Sequence, residues 1–333
     1  MSSLNHPERY MDFEKRLLTR DQAEDMLGGK KLAFVVGSPR SGTTWLQLLL
    51  SRSPAIATAL ETNLFNLFMR SMVEQWNHDR ITGQLTGLTK LLSEEEFRNL
   101  LRITSAFVFV KIAQSKASAT VVLEKTPHHL KYAREILDLW PEAHFIHIIR
   151  DPRSVAASLR VASKTWASQW ASSKVSRSCE EWIADVRIGR QISALTQNYH
   201  EVFYHELISD GPHIVMRLLN NLGVPSSLED CRRYVDECNI RNLRAGKLDN
   251  APWDVAISKV ALGAGTTDSW RAELSAWEIA LVERLTGPLM SDLGFKPANG
   301  SKATAALVNM VCTLKHAARM TKRRLRNFLE RRR

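Results

Sequence analysis

The sequence is poor in cysteine and has no long apolar run. Its four cysteines among 333 residues lack the spacing of a metal site or of a disulfide framework, so we expect free thiols of a reducing compartment. No run of 18 apolar residues is present, and the first 20 residues are charged, without the apolar segment of a secretory signal. These absences predict a cytoplasmic protein with neither a signal peptide nor a transmembrane helix.

Acidic residues are scarce at the C-terminal end. Residues 301–333 contain ten Lys or Arg and a single acid, Glu330, so nine of the eleven net positive charges lie there. Apolar residues recur at spacings of three, four and seven, which predicts a basic amphipathic helix. Such a helix makes peripheral contact with a membrane, docks a partner or packs on its own domain. Because the stripe has one aromatic residue, Phe328, rather than a series on which bases could stack, we expect no nucleic acid. The apolar stripe comprises Leu307, Val311, Leu314, Ala318, Leu325 and Phe328.

Four apolar runs are separated by segments with helical patterns. The runs are nearly continuous rather than alternating, as in parallel strands that are covered on both faces. We therefore predict an α/β fold with a parallel sheet covered by helices on both faces, and helical insertions at about 62–118 and 161–198. We divide the chain into an N-terminal extension (1–30), one domain (31–300) and the basic C-terminal helix (301–333). The predicted strands are 32–36, 120–124, 143–149 and 200–204.

A glycine-rich loop follows the first strand and precedes an apolar helical segment. Glycine lets the backbone approach a ligand, and the amides of the following helix point at it, which favours phosphate. The two glycines have the Walker A spacing, but Thr43 stands where a P-loop kinase has its lysine, and Arg40 supplies the cation instead. The loop is interpreted as a phosphate site of an unusual kind. It reads Gly37-Ser38-Pro39-Arg40-Ser41-Gly42-Thr43-Thr44-Trp45.

A second segment of interest follows the strand predicted at 143–149. Arg150 comes directly after that strand, and Ser158 lies eight residues later, in a segment that Pro152 begins as a helix. Taken alone, the segment is typical of a strand end followed by a helix that begins with proline. Its residue types are compatible with phosphate, because a guanidinium makes paired hydrogen bonds to phosphate and a serine within two helical turns adds a neutral donor.

Both patterns resemble those of sulfotransferases that use PAPS (3′-phosphoadenylyl sulfate), a family with a P-loop-NTPase-like fold. Segments 123–127, 203–207, 218–225 and 266–274 are also similar to the family, so the resemblance extends from about Leu32 to Phe295. It implies that the first loop cradles the 5′-phosphosulfate and that the second pair holds the 3′-phosphate. It also implies that Trp45 stacks on adenine and that Lys125 steadies the transferred group. The implied nucleotide-binding residues are Arg40, Ser41, Gly42, Thr43, Thr44, Trp45, Arg150, Ser158, Tyr204, Ser269 and Trp270.

The resemblance leaves two candidates for the catalytic base. In the tyrosylprotein-type and carbohydrate-type branch a glutamate lies 21 residues beyond the loop cation, and Glu61 has this spacing from Arg40. In the small-molecule branch the base is a histidine of a Lys-Thr-His motif, where this sequence has Pro127 followed by His128. We favour Glu61 and keep His128 as the alternative.

The function implied is transfer of a sulfuryl group from PAPS to a hydroxyl or amine, with release of adenosine 3′,5′-bisphosphate (PAP). No metal is expected, because the transferred group carries less negative charge than a phosphoryl group and no acidic cluster suggests a magnesium site. The acceptor is a glycan, a lipid or a small molecule. A P-loop kinase that uses ATP and Mg²⁺, and a non-catalytic nucleotide-binding protein that docks on membranes, are the alternatives.

Overall fold

The computed structural model describes residues 19–245, 267–298 and 301–314. Its centre is a sheet of five strands, all parallel, in the order β2-β3-β1-β4-β5. This confirms the predicted α/β class. The strands are β1 (Lys31–Val36), β2 (Ile56–Thr58), β3 (Val121–Lys125), β4 (His144–Ile149) and β5 (Tyr199–Phe203).

The four predicted strands are present, each with bounds within one residue of the expected ones. The sequence did not reveal β2, because three residues are too few to produce a recognisable pattern. In the parallel register, Phe34 of β1 pairs with Glu124 of β3 on one side and with Phe145 of β4 on the other. All five carboxyl ends therefore lie at the same edge of the sheet, where open α/β sheets bind their ligands.

Helices surround the sheet and account for the predicted insertions. Between β2 and β3 lie a π-helical turn (Leu64–Met69) and two helices, and between β4 and β5 lie two more. The helices are α1 (Arg20–Leu27), α2 (Thr43–Ser51), α3 (Arg70–Thr82), α4 (Glu94–Ala113), α5 (Ala133–Leu139), α6 (Pro152–Ser163), α7 (Val175–Ser193), α8 (Tyr204–Ser209), α9 (Gly211–Asn221), α10 (Leu228–Glu237), α11 (Ile240–Ala245), α12 (Trp270–Glu273), α13 (Ala276–Asp292) and α14 (302–314), with 3₁₀ turns at Leu88–Lys90 and Pro127–Tyr132.

The sheet separates two apolar cores, as expected for strands covered on both faces. On one face the rings of Phe34 and Phe145 stack at 5.5 Å between centroids and pack with Phe109 of α4. On the other face Val35 packs with Leu49 of α2. Because successive side chains of a strand point to opposite faces, β1 must be apolar at nearly every position, and it is.

The C-terminal helix α14 differs in register from the predicted stripe. Val308 is its fully buried residue, whereas Leu307 and Leu314 of the predicted stripe are 49% and 63% exposed. The predicted stripe rests on spacing alone, and several sets of residues in this segment share helical spacing. Ala318, Leu325 and Phe328 lie outside the described residues, as does most of the proposed N-terminal extension. The division into 1–30, 31–300 and 301–333 stays a prediction.

No helix in the described ranges combines the length and the hydrophobicity needed to cross a bilayer. All four cysteines are free thiols, and three of them are buried.

We predict that Gly189→Ala destabilises the protein, because an added methyl on α7 would overlap Nδ1 of His147 and the hydroxyl of Tyr199. These two groups are hydrogen bonded at 2.6 Å and cannot both move aside cheaply. The expected loss in unfolding free energy is about 1–3 kcal/mol, measured by urea denaturation. The exposed Gln191→Ala on the same helix serves as the control. Equal stability of the two variants would contradict the close packing of α7 on β4.

Candidate active site

The phosphate loop, residues 37–42, connects β1 to α2 in a conformation that requires glycine. Gly37 and Gly42 have φ of 141° and 103°, and a Cβ on Gly37 would lie 2.5 Å from the carbonyl oxygen of Ile148. Arg40 also has a positive φ, 73°, which is uncommon for a residue with a side chain. Helix α2 begins at Thr43, directly after Gly42, so its first amides open towards the loop.

Backbone bonds and a buried hydroxyl complete the loop. The amide of Ser41 donates to the carbonyl of Ser38 at 3.1 Å, and the amide of Gly37 donates to the carbonyl of Pro127 at 3.3 Å. The hydroxyl of Ser41 is buried and has no hydrogen-bond partner among the described residues. Buried polar groups are nearly always satisfied, so this hydroxyl fits an acceptor oxygen on a ligand.

Arg40 brings the two predicted phosphate sites together. Its Nε donates to the hydroxyl of Ser158 at 3.0 Å, and Nη1 of Arg150 donates to the backbone carbonyl of Arg40 at 3.1 Å. Burial, together with the charge of Arg150, lowers the pKa of Arg40 to about 10, and burial lowers the pKa of Arg150. Both groups stay charged at neutral pH. The two guanidinium groups make this part of the site cationic, which suits an anionic ligand.

Helix α6 determines where Ser158 lies relative to Arg150. The side chain of Asp151 caps the helix by accepting from the amide of Arg153 at 2.8 Å, and Pro152 occupies the first turn. Ser158 follows two helical turns later, on the face that meets Arg40. The guanidinium of Arg150 lies 4.2 Å from the ring centroid of Tyr204, the first residue after β5.

Lys125, the last residue of β3, connects the phosphate loop to the candidate base. Its buried Nζ donates to the hydroxyl of Thr44 at 3.3 Å and forms an ion pair with the carboxylate of Glu61. The Glu61 side chain is 41% exposed, so it faces solvent beside the loop. The arrangement provides a cation and a carboxylate within reach of one reacting group.

A buried network that the sequence did not indicate holds the segment after Glu61. The carboxylate of Glu124 accepts from the amide and the hydroxyl of Thr62, at 3.2 and 2.8 Å, and from the hydroxyl of Thr126 at 2.7 Å. Burial alone raises the pKa of Glu124, but the interaction with His129 and these hydrogen bonds outweigh it, and the pKa is lowered. The network fixes the backbone of the segment that carries Glu61.

The two histidines after Lys125 have different environments. His129 is fully buried, with Nδ1 2.7 Å from Glu124 and with Nε2 accepting from the amide of Phe65 at 3.2 Å. His128 is half-buried, and burial, together with the charge of Lys131, lowers its pKa, while the charge of Glu61 acts in the opposite direction. His128 is therefore neutral at pH 7, and Glu61 is near enough to influence its pKa.

Asp185 of α7 is hydrogen bonded to the phosphate loop, and no motif in the sequence indicates this contact. Its Oδ2 accepts from the hydroxyl of Ser38 at 2.8 Å, and its Oδ1 lies 4.0 Å from Nζ of Lys131. Burial raises the pKa of Asp185 to about 6, against the opposing effects of Lys131 and Ser38. The two partners are 147 residues apart in sequence, too far for motif spacing to relate them.

The remaining predicted nucleotide residues fall into two groups. Trp45 is half-buried, donates from Nε1 to the carbonyl of Cys238 at 3.0 Å and meets the edge of the Tyr204 ring. Trp270, by contrast, is fully buried between Arg153 and Arg271, each 4.3 Å from its ring centroid. The structure does not bring Trp270 to the loop; it packs in the core beneath α6.

Two tryptophans that follow α6 lie beside the loop. The guanidinium of Arg40 is 5.4 Å from the ring centroid of Trp166, and Trp166 packs edge-on against Trp170 at 5.7 Å. The two are 43% and 50% exposed, so they present an apolar ring surface to solvent next to the cationic site. An open cavity borders Arg150 on the opposite side and extends past Tyr204 to Thr267 and Phe295.

Comparisons with known proteins identify the family of the chain. The model described as the sulfotransferase family matches residues 33–230. Nodulation protein NoeE of Sinorhizobium fredii is 22% identical over 302 residues, which cover 84% of this chain and 69% of that protein. A putative protein-tyrosine sulfotransferase of Caenorhabditis briggsae is 26% identical over 199 residues, which cover 60% of this chain and 67% of that protein.

Two solved structures share the fold at low sequence identity. The sulfotransferase domain from the curacin biosynthetic pathway matches with a TM-score of 0.53 and 15% identity, over 81% of this chain and 99% of that one. Mouse sulfotransferase SULT7A1, complexed with PAP, matches with a TM-score of 0.50 and 13% identity, over 84% of this chain and 93% of that one.

Proposed function

The chain belongs to the sulfotransferase family, and on this premise we propose that it transfers the sulfuryl group of PAPS to an acceptor hydroxyl and releases PAP. One observation carries the proposal. Arg40 of the phosphate loop bonds Ser158 and is bonded by Arg150, so the two predicted phosphate sites are neighbours. A nucleotide with phosphate at both the 5′ and the 3′ positions fits such a pair, and the PAP complex of the mouse relative supports the same donor.

The residues of the loop suit the 5′ end of the donor. The amides at the start of α2, the hydroxyls of Thr43 and Thr44 and the unsatisfied hydroxyl of Ser41 supply donors for a phosphosulfate. Arg150 and Ser158 are assigned to the 3′-phosphate, and the rings of Trp45 and Tyr204 to adenine. Asp268, the residue before Ser269, lines the cavity beside Arg150, and we keep Ser269 as a proposed nucleotide residue, whereas Trp270 is assigned a packing role.

Lys125 and Glu61 are the residues that we assign to the chemistry. Glu61 accepts the proton of the acceptor hydroxyl as the oxygen forms its bond to sulfur. Lys125 and Arg40 stabilise the electron pair that stays on the phosphate oxygen as the sulfur–oxygen bond breaks. The contact of Lys125 with Thr44 supports this assignment, because it connects the cation directly to the phosphate loop.

The choice of Glu61 over His128 rests on contacts. The carboxylate of Glu61 is bound to the lysine that contacts the loop, and the Glu124 network holds its backbone. His128 makes no such contact with Lys125 or the loop among the hydrogen bonds and ion pairs of the described residues. Its lowered pKa keeps it neutral and chemically competent, so it remains the alternative base.

The acceptor is a molecule that presents a hydroxyl next to an apolar or ring-shaped face. Trp166 and Trp170 beside Arg40, together with the half-exposed Leu60 next to Glu61, support this class, which includes glycans, lipids and aryl alcohols. The relative from C. briggsae, by its name, acts on protein tyrosine, a phenolic hydroxyl.

We further propose peripheral contact of the C-terminal helix with an anionic membrane. Leu307, Met310 and Leu314 form an exposed apolar stripe on α14, opposite the buried Val308. The segment 301–333 carries nine net positive charges, and each basic residue near an anionic leaflet adds about 1 kcal/mol of attraction. The free thiols agree with the cytoplasmic side, where anionic lipids concentrate.

PAP should raise the melting temperature of the protein in the absence of metal, since a ligand held only by the native state stabilises it.

Arg150→Gln should weaken PAP binding by about 10- to 100-fold, because a charged hydrogen bond to the 3′-phosphate is lost. Adenosine 5′-phosphate, which lacks that group, should bind this variant and the wild type alike. Exposed Arg134→Gln is the control. Equal losses for both nucleotides would show that the 3′-phosphate site is misplaced, and preference for ATP with Mg²⁺ would favour a kinase.

Glu61→Gln should keep PAP affinity and lower turnover at least about 100-fold, since it removes the proton acceptor. His128→Ala should change turnover by only a few fold. Transfer of labelled sulfate from PAPS to a panel of glycans, lipids and phenols provides the assay and selects the acceptor. A glutamine variant with near-normal turnover would disprove the assignment, and loss in the histidine variant alone would transfer it to His128.

Membrane contact predicts co-sedimentation with vesicles that contain phosphatidylserine and not with vesicles of phosphatidylcholine alone, with binding reduced by salt. Leu307→Glu with Leu314→Glu should abolish it, whereas Leu85→Glu, at an exposed leucine elsewhere, should not. Vesicle binding unchanged by the double substitution would contradict the proposal.

A further inference from the structure

The hydrogen bond between Ser38 and Asp185 joins the phosphate loop to α7, the helix whose Trp182 also donates to the backbone carbonyl of Arg150 at 2.9 Å. Both side chains are buried, at 3% and 2% exposure, and the bond is 2.8 Å long. Ser38 is the second residue of the loop, directly before Pro39, so its position affects the path of the chain into Arg40.

The contact constrains the part of the loop with the least common backbone geometry. The carbonyl of Ser38 accepts from the amide of Ser41, closing a turn around Arg40, whose φ is positive. This turn directs the guanidinium of Arg40 to Ser158 and its carbonyl to Arg150. A fixed Ser38 therefore fixes the group that joins the two phosphate sites.

The buried, charged carboxylate of Asp185 lowers the stability of the folded protein, which points to a role other than stability. Lys131 is the cation that faces it, at 4.0 Å, and Glu181, one turn earlier on α7, repels it. With its pKa raised to about 6 by burial, Asp185 is ionised at neutral pH in a site that disfavours the charge. Destabilising groups of this kind are often found at functional sites.

We propose that Asp185 is a positioning residue for the donor nucleotide, which acts by holding Ser38 and with it the turn around Arg40. The inference rests on the proposed function, because it takes the loop to be the site of the 5′-phosphosulfate.

The test measures the affinity of the full chain for PAP by calorimetry. Asp185→Ala should weaken binding about tenfold, as expected for loss of a charge-assisted hydrogen bond. Ser38→Ala should give the same loss, and the double variant no further loss, because both remove one interaction. Asp185→Asn keeps an acceptor oxygen and should restore most of the affinity. Gln191→Ala, at an exposed position on the same helix, is the control.

The melting temperature provides a second readout, because removing the carboxylate charge should raise it while the affinity for PAP falls. A carboxyl whose pKa is higher in the folded protein than in the unfolded chain is stabilising below the unfolded pKa and loses that contribution as pH rises through about 6. Asp185→Asn should therefore melt above the wild type at pH 7.5, and the difference should shrink at pH 4.5. A purely structural role predicts that lower affinity accompanies lower stability.

The outcomes separate the two proposals. If the wild type binds PAP and a folded Asp185→Ala variant binds it with equal affinity, the positioning role is overturned and the proposed function is left intact. If the wild type does not bind PAP, both the proposed function and the positioning role are overturned. If Asp185→Ala does not fold, Ser38→Ala decides the question, since it removes only one hydroxyl.

Discussion

The arrangement of the site depends on two guanidinium groups, those of Arg40 and Arg150, held close together at the edge of a parallel sheet. Burial disfavours both charges, and the charge of Arg150 adds to this for Arg40, yet the polypeptide keeps them in place through the Arg150 bond to the Arg40 carbonyl and the Arg40 bond to Ser158. The pair makes this edge of the sheet cationic, which suits the anionic donor that we propose. The strand order makes it possible, because β1 and β4 are adjacent and their carboxyl ends coincide.

Buried carboxylates behind the site keep its parts aligned. Glu124 holds the backbone after Glu61, and Asp185 holds Ser38 at the start of the phosphate loop. Neither needs to contact a ligand, and their environments differ. The charge interaction with His129 and several hydrogen bonds outweigh burial and lower the pKa of Glu124, whereas burial dominates at Asp185 and raises its pKa. One carboxylate therefore contributes to a satisfied structural network, and the other remains electrostatically costly.

The side that we propose for the acceptor differs from the proposed donor site. Loop amides, hydroxyls and arginines surround the proposed donor site, whereas exposed rings, those of Trp166 and Trp170, lie on the side that we propose for the acceptor. Polar groups at fixed positions suit a nucleotide that is always the same. Exposed ring surfaces suit recognition by shape and apolar contact, which allows acceptors to vary among proteins that share one fold.

The sequence alone determined whatever depends on neighbours along the chain. Apolar runs identified four of the five strands, glycine spacing identified the phosphate loop, and the positions of Arg150 and Ser158 follow from one strand end and two helical turns. Tertiary structure decided what depends on distant segments meeting. It paired Ser38 with Asp185, placed Thr62 against Glu124, buried Trp270 away from the loop and turned Leu307 outward on α14. Local spacing fixes periodicity and turn geometry, whereas contacts between remote residues follow from the packing of the sheet and its helices, which no short pattern encodes.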